Sequence, residues 1–211
     1  EIYFLVRDSL IDQGLVFFGG YAANLYSRYM PYKERKRMAE IPDFHVLSED
    51  PETSATIVKE RLMDADVKDV RIYKKPGIGE IIAPHYQISV GKDAVCFIYE
   101  PLACHSYNII KLGNRDVKVA SIDTMLSFYL AFTYASRPYY NKERILCMAQ
   151  YLLHAQTNNK LSQDGLLKRF STQCYGHQVS IQEIRSKKAE KYKNLKRNTA
   201  DWEYNFLQYP Q

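Results

Sequence analysis

Long apolar runs are missing from this 211-residue chain. No stretch approaches the ~20 consecutive apolar residues that a bilayer-crossing helix needs, so no membrane partner is expected. Paired cysteine spacing is missing too. Cys96, Cys104, Cys147 and Cys174 form no CxxC. Cys104-His105 and Cys174 with His177 therefore lack the paired spacing of a structural zinc set, and free thiols in a reducing compartment are expected. There is no internal repeat and no low-complexity tract, and the opening residues are not expected to be a signal peptide. The chain starts without Met, inside what reads as a helix, which suggests a piece of a longer protein. Charge of one sign is scarce as well: 29 basic against 24 acidic residues leave +5. That balance is compatible with a polyanionic partner without requiring one.

What the chain does have is punctuation. "IYFLVRDSLIDQ" (2–13) carries apolar residues at helical spacing, and Gly14 ends it. "LVFF" (15–18) reads as a short apolar strand stopped by Gly19-Gly20, followed by the helix "YAANLYSRYM" and Pro31. "PYKERKRMAE" (31–40) has no periodic apolar face and reads as a solvated connector. Its Lys33, Arg35, Lys36 and Arg37 are candidates for RNA or triphosphate contact. "IPDFHVLS" (41–48) alternates as a strand, and Asp50-Pro51 open a helix striped by Ala55, Val58, Leu62 and Ala65. Strands follow in "VKDVRIYK", "IGEIIAPHYQISV", "AVCFIYE", "SYNIIKL" and "DVKVA". Ser121 caps "IDTMLSFYLAFTYA", apolar nearly all round and expected to be buried. A further helix at 143–155 precedes a polar remainder. This order predicts an α+β fold: a mixed sheet with helices on one face, followed by a helical C-terminal part.

The chemistry concentrates at two points. Gly19-Gly20 sit between strand and helix, where glycine allows close ligand approach and free N–H groups can meet a phosphate. On strand 41–48, alternation places Asp43, His45 and Leu47 on one face and Phe44 and Val46 on the other. Phe44 and Val46 are expected against helices, with Asp43 and His45 about 7 Å apart along a cleft. A carboxylate there can hold Mg²⁺.

The glycine pair followed by an acid-x-acid-like strand resembles the polymerase-beta-type nucleotidyltransferases. The phrases "FFGGYAANLY", "IPDFHVLSEDPET", "VKVASIDTMLSFYLAF" and "CYGHQVSIQEIRSKKAEKY" are similar to poly(A) polymerase catalytic subunits of large cytoplasmic DNA viruses, of the poxvirus and mimivirus type. The resemblance runs over most of residues 15–195. It implies a polymerase-beta-like domain at 1–135 and a helical extension with a basic tail at 136–211. It also implies transfer of AMP from ATP to the 3′ end of mRNA, with Mg²⁺ or Mn²⁺, in a cytoplasmic viral factory or virion. A homodimer or a processivity subunit would be the partner. By the same resemblance, Gly19 and Gly20 match the loop that cradles the triphosphate, and Asp43 matches the first metal-binding carboxylate. The Gly20-to-Asp43 gap is longer than the family's commonest spacing.

His45 stands where the family has its second acid. Two-metal transfer clamps attacking and leaving oxygens between carboxylate-held ions, and a neutral imidazole removes one of the charges on which that clamp depends. For the third carboxylate, Asp93 and Glu100 fall on opposite strand faces by alternation. With Val95, Phe97 and Tyr99 expected against the helices, Ala94, Cys96, Ile98 and Glu100 face the cleft, so Glu100 is the candidate. The basic segment offers Arg185, Lys187, Lys188, Lys191, Lys193, Lys196 and Arg197, with Tyr192 among them, to track an RNA backbone and stack on a base. Three readings compete: an RNA adenylyltransferase, a catalytically inactive module for RNA binding or assembly, and a small-molecule or protein nucleotidyltransferase. The basic segment argues against the third.

Overall fold

A computed structural model describes residues 1–38, 44–79 and 81–202. The chain opens with α1 (Ile2–Asp12), the short β1 (Val16–Phe17) and α2 (Gly20–Tyr26). A 3₁₀ turn (Ser27–Tyr29) leads to α3 (Tyr32–Met38), β2 (Phe44–Leu47) and α4 (Pro51–Asp64). Strands β3 (Val70–Lys75), β4 (His85–Val90), β5 (Asp93–Tyr99), β6 (His105–Leu112) and β7 (Arg115–Ala120) follow. Helices α5 (Ile122–Ala135) and α6 (Lys142–Asn158), β8 (Cys174–Tyr175) and α7 (Ile181–Asn194) complete the order. The caps expected from sequence form: Asp50 accepts from Thr53 N–H at 3.1 Å and Ser121 from Thr124 N–H at 3.3 Å. Each such cap is worth about 1 kcal/mol.

The eight strands make one mixed sheet in the order β3-β4-β5-β2-β1-β7-β6-β8. Two parallel pairings, β2 with β5 and β1 with β7, sit among antiparallel ones. The α+β class expected from the element order is the observed one.

Successive residues separate the two faces. Phe17, Phe44, Val46, Cys96 and Ile98 are almost completely buried, with Phe44 against Tyr3 of α1 and Tyr21 of α2. This face carries the main core, together with Val6 and Leu10 of α1 and Ala55, Val58 and Leu62 of α4. The opposite face carries Phe18, His45 and Tyr99. There Phe18 stacks on Phe128 of α5 at 4.3 Å. Aromatic pairs of this kind add about 0.5–1.5 kcal/mol each beyond their burial. Helix α5 is not buried all round as expected: Met125, Tyr129 and Phe132 are buried, while Leu130 and Tyr134 are exposed.

Two other expectations are corrected. Residues 31–40 were expected as a solvated connector, but Tyr32–Met38 is helical. Tertiary partners stabilise it where apolar periodicity does not: Arg37 donates to the Tyr151 hydroxyl at 3.1 Å and Glu34 faces His154 at 3.4 Å, both on α6. Two of the four cysteines are not free thiols, because Cys104 and Cys174 form a disulfide that ties β8 to the start of β6. Gly176, at φ +104°, follows it against Pro101 and Ala103, a conformation and a space open only to glycine.

The chain divides into two compact units, Glu1–Gly176 and His177–Gln211. Within the first, α6 packs along α5. In the second, α7 opens with a capping box: Ser180 accepts from Glu183 N–H, and the Glu183 carboxylate accepts from Ser180 N–H at 2.7 Å. These bonds, with His177 beside it, hold the Glu183 carboxyl down to about 2.

Candidate nucleotide-binding cavity

The second sheet face is only partly covered by α5 and α6. The uncovered part is a cavity of about 440 Å³. Gly19, Gly20 and His45 line it. Lys75, His85, Gln87, Ala94, Phe97 and Tyr99 complete the sheet side, and Tyr129, Phe132, Tyr139, Tyr140, Asn141 and Arg144 belong to the helical side.

Strand pairing explains the floor. In the parallel β2–β5 register, His45 lies opposite Phe97 and Leu47 opposite Tyr99. The rings follow the register: His45 stacks on Phe97 at 4.8 Å with 17° between planes, and His85 stacks on Tyr99 at 4.3 Å and 16°. A nearly parallel wall of imidazoles and aromatics results. Tyr140 stacks on Phe132 at 4.8 Å, and burial pushes its hydroxyl up to about 12. Tyr139 remains exposed at the rim.

This floor reverses the expected faces of β5. The register shifts between Ile88 and Ser89: Ser89 pairs with Ala94, but Ile88 pairs with Cys96, leaving Val95 as a bulge. A bulge inverts the alternation after it. Ala94, Phe97 and Tyr99 therefore share the cavity face, while Cys96 and Ile98 enter the core. Glu100 follows the end of β5 and is exposed, its backbone N–H donating to the Pro84 carbonyl at 3.3 Å; it is not among the residues lining the cavity. Asp43 lies outside the described residues. The basic candidates Lys187, Lys188, Lys191 and Lys193 are exposed along α7, and Lys196 and Arg197 are exposed just beyond it. Arg197 donates to the Tyr192 hydroxyl at 2.6 Å.

Electrostatically the described lining is cationic. Lys75 and Arg144 supply charge, and no described carboxylate lines the cavity. His85 is buried and its Nδ1 meets the Ala83 carbonyl at 3.1 Å, so Nδ1 carries the proton and Nε2 is left as an acceptor. Burial, followed by the charges of His45 and Lys75, moves its pKa down, against the effect of the Ala83 hydrogen bond. Among the described residues the lining offers cations, imidazoles and aromatic rings and no carboxylate, whereas a hard divalent ion takes oxygen ligands. Among the described residues no group of three His, Cys, Asp or Glu could hold a metal. The set suits a phosphate together with a flat base.

Sequence reading missed Lys75, His85, Gln87 and Arg144. Lys75 and His85 are direct partners on β3 and β4, and with Gln87 they share the face that continues the cavity floor. The alternating "RIYKK" carried a signal for Lys75. Arg144 had none, since only the packing of α6 brings it to the sheet.

No family model and no curated protein sequence matches the chain. Among solved structures, the crystal structure of the Megavirus polyadenylate synthase matches with a TM-score of 0.71 at 15% identity. The match covers 98% of this chain and 47% of that one, so this chain spans about half the length of that protein. The likeness is one of fold: over nearly its whole length this chain shares the architecture of that part of the synthase.

Two outcomes follow from the geometry. A Cβ on Gly19 would lie 2.6 Å from the His45 Cβ and 2.7 Å from its Nδ1. Because the nearest atom sits next to the backbone of a central strand, Gly19→Ala is expected to destabilise by about 1–3 kcal/mol, measured by urea denaturation; an unchanged midpoint would contradict the contact. For His85, the folded pKa is lowered, so the unfolded chain takes up the proton first as pH falls. Stability is then full above about pH 7 and declines as pH drops through about 6.5, the unfolded value. His105, also lowered by burial, adds in the same direction. Melting temperatures from pH 7.5 to 5.5 should fall in the wild type and fall less in His85→Gln.

Proposed function

We propose that this chain is a nucleotidyltransferase-like module of a viral-type polyadenylating enzyme, and that it binds adenine nucleotide or an RNA 3′ end without carrying out the transfer itself. The observation that carries this reading is His45, at the position where the resemblance calls for an acid, stacked on Phe97 of the adjacent central strand. Gly19 closes over the His45 ring, so the arrangement is built into the backbone.

In this reading Lys75 and Arg144 bind phosphate, each as a charge-assisted donor. The ring wall and exposed Tyr139 stack a base, an interaction worth about 1–3 kcal/mol per base. The α5–α6 layer excludes water from one side, which strengthens these contacts. The basic helix α7 supplies further RNA contact in the second unit, through Lys187, Lys188, Lys191 and Lys193. The nucleotide is a ligand in this reading.

The shared fold favours a second reading, in which the chain adenylates RNA itself, with Asp43 and Glu100 holding Mg²⁺ or Mn²⁺. Against it stands the exposed position of Glu100 beyond the strand.

The test pairs binding with turnover. ATP and an oligo(A) primer should bind in EDTA, weaken with salt, and show no extension with Mg²⁺ or Mn²⁺. Metal-dependent extension by the wild-type chain, or ATP binding only with divalent ion present, would overturn the proposal in favour of the second reading.

A further inference from the structure

A second cavity, of about 390 Å³, adjoins the first and shares Gly20, Asn141, Arg144 and Met148 with it. Shared lining residues make the two one trench running from the sheet to the space between α3 and α6. Lys75 belongs to the first cavity alone, Arg144 to both and Arg37 to the second alone. Each cavity thus has a cation of its own, and Arg144 lies on the lining they share. Glu143, in the second cavity, is the one acid among the described lining residues.

Arg37 is exposed, yet its guanidinium is oriented by donation to the Tyr151 hydroxyl at 3.1 Å. Fixed in this way, it keeps further N–H donors available, because guanidinium has five. Each cavity by itself has the size of a small-ligand site. A mononucleotide seated on the ring wall uses Lys75 and Arg144 and leaves Arg37 idle. A strand with successive phosphates uses all three.

From this we propose that the trench holds a single-stranded RNA segment of two or three nucleotides, with one nucleotide on the ring wall and the neighbouring phosphate at Arg37. The proposal rests on the nucleotide-binding reading above. It adds a direction, from Lys75 past Arg144 to Arg37, and a length.

Calorimetric titration of the whole chain with AMP, pApA and pApApA, in EDTA at two salt concentrations, tests it. Affinity should rise with length. Arg37→Gln should remove the gain, leave AMP binding unchanged and flatten the log–log salt slope for pApApA by about 0.7, the increment for one phosphate on a single strand. Arg37→Lys, which keeps the charge, should retain most of the gain. If AMP binds as tightly as pApApA, or if Arg37→Gln behaves as wild type, the trench is wrong while nucleotide binding stands. If Arg37→Gln also loses AMP, Arg37 acts through the fold and the proposal falls. If neither AMP nor the oligonucleotides bind, both this proposal and the functional reading fail.

Discussion

The parallel pairing of β2 with β5 is the constraint on which the rest of the site depends. It places His45 opposite Phe97 and Leu47 opposite Tyr99, at the centre of an eight-stranded sheet that cannot shift register without exposing its core. The same strands hold Phe44, Val46, Cys96 and Ile98 in the core on the other face. Moving His45 out of the cavity would therefore move four buried side chains with it. Gly19 completes the arrangement, since no other residue fits beside the imidazole.

From that pairing the character of the cavity follows. The floor is a set of stacked rings, and the charges at its edges come from Lys75 on β3 and Arg144 on α6. An anion with a planar base complements such a surface, and a bare cation does not. The fold is shared with a viral polyadenylate synthase; in the proposed reading the cationic lining receives a nucleotide, and the His45–Phe97 pair stands where two-metal transfer would need an acid at His45.

Much of this was legible in the sequence. The glycine stop at 19–20, the caps at Asp50 and Ser121, and the alternation that puts His45 in the cleft and Phe44 in the core are local signals, and each formed as read. Non-local effects were not legible. One extra residue at Val95 inverted β5 and exchanged Cys96 and Ile98 for Phe97 and Tyr99 on the cavity face. Helix α3 lacks an apolar stripe because Arg37 and Glu34 secure it through polar contacts with α6, more than a hundred residues away. Arg144 and the Cys104–Cys174 bond likewise depend on which distant elements meet.

The central claim is that His45 belongs to a ring wall that receives a nucleotide without a divalent ion. The most direct measurement is NMR of ¹³C-labelled histidines, following the His45 and His85 imidazole signals as AMP is added in EDTA and then as Mn²⁺ replaces the chelator. The account predicts that AMP shifts both signals in EDTA and that Mn²⁺ leaves the His45 line sharp. A shift that requires Mn²⁺, with the His45 line broadened by the nearby paramagnetic ion, would contradict it.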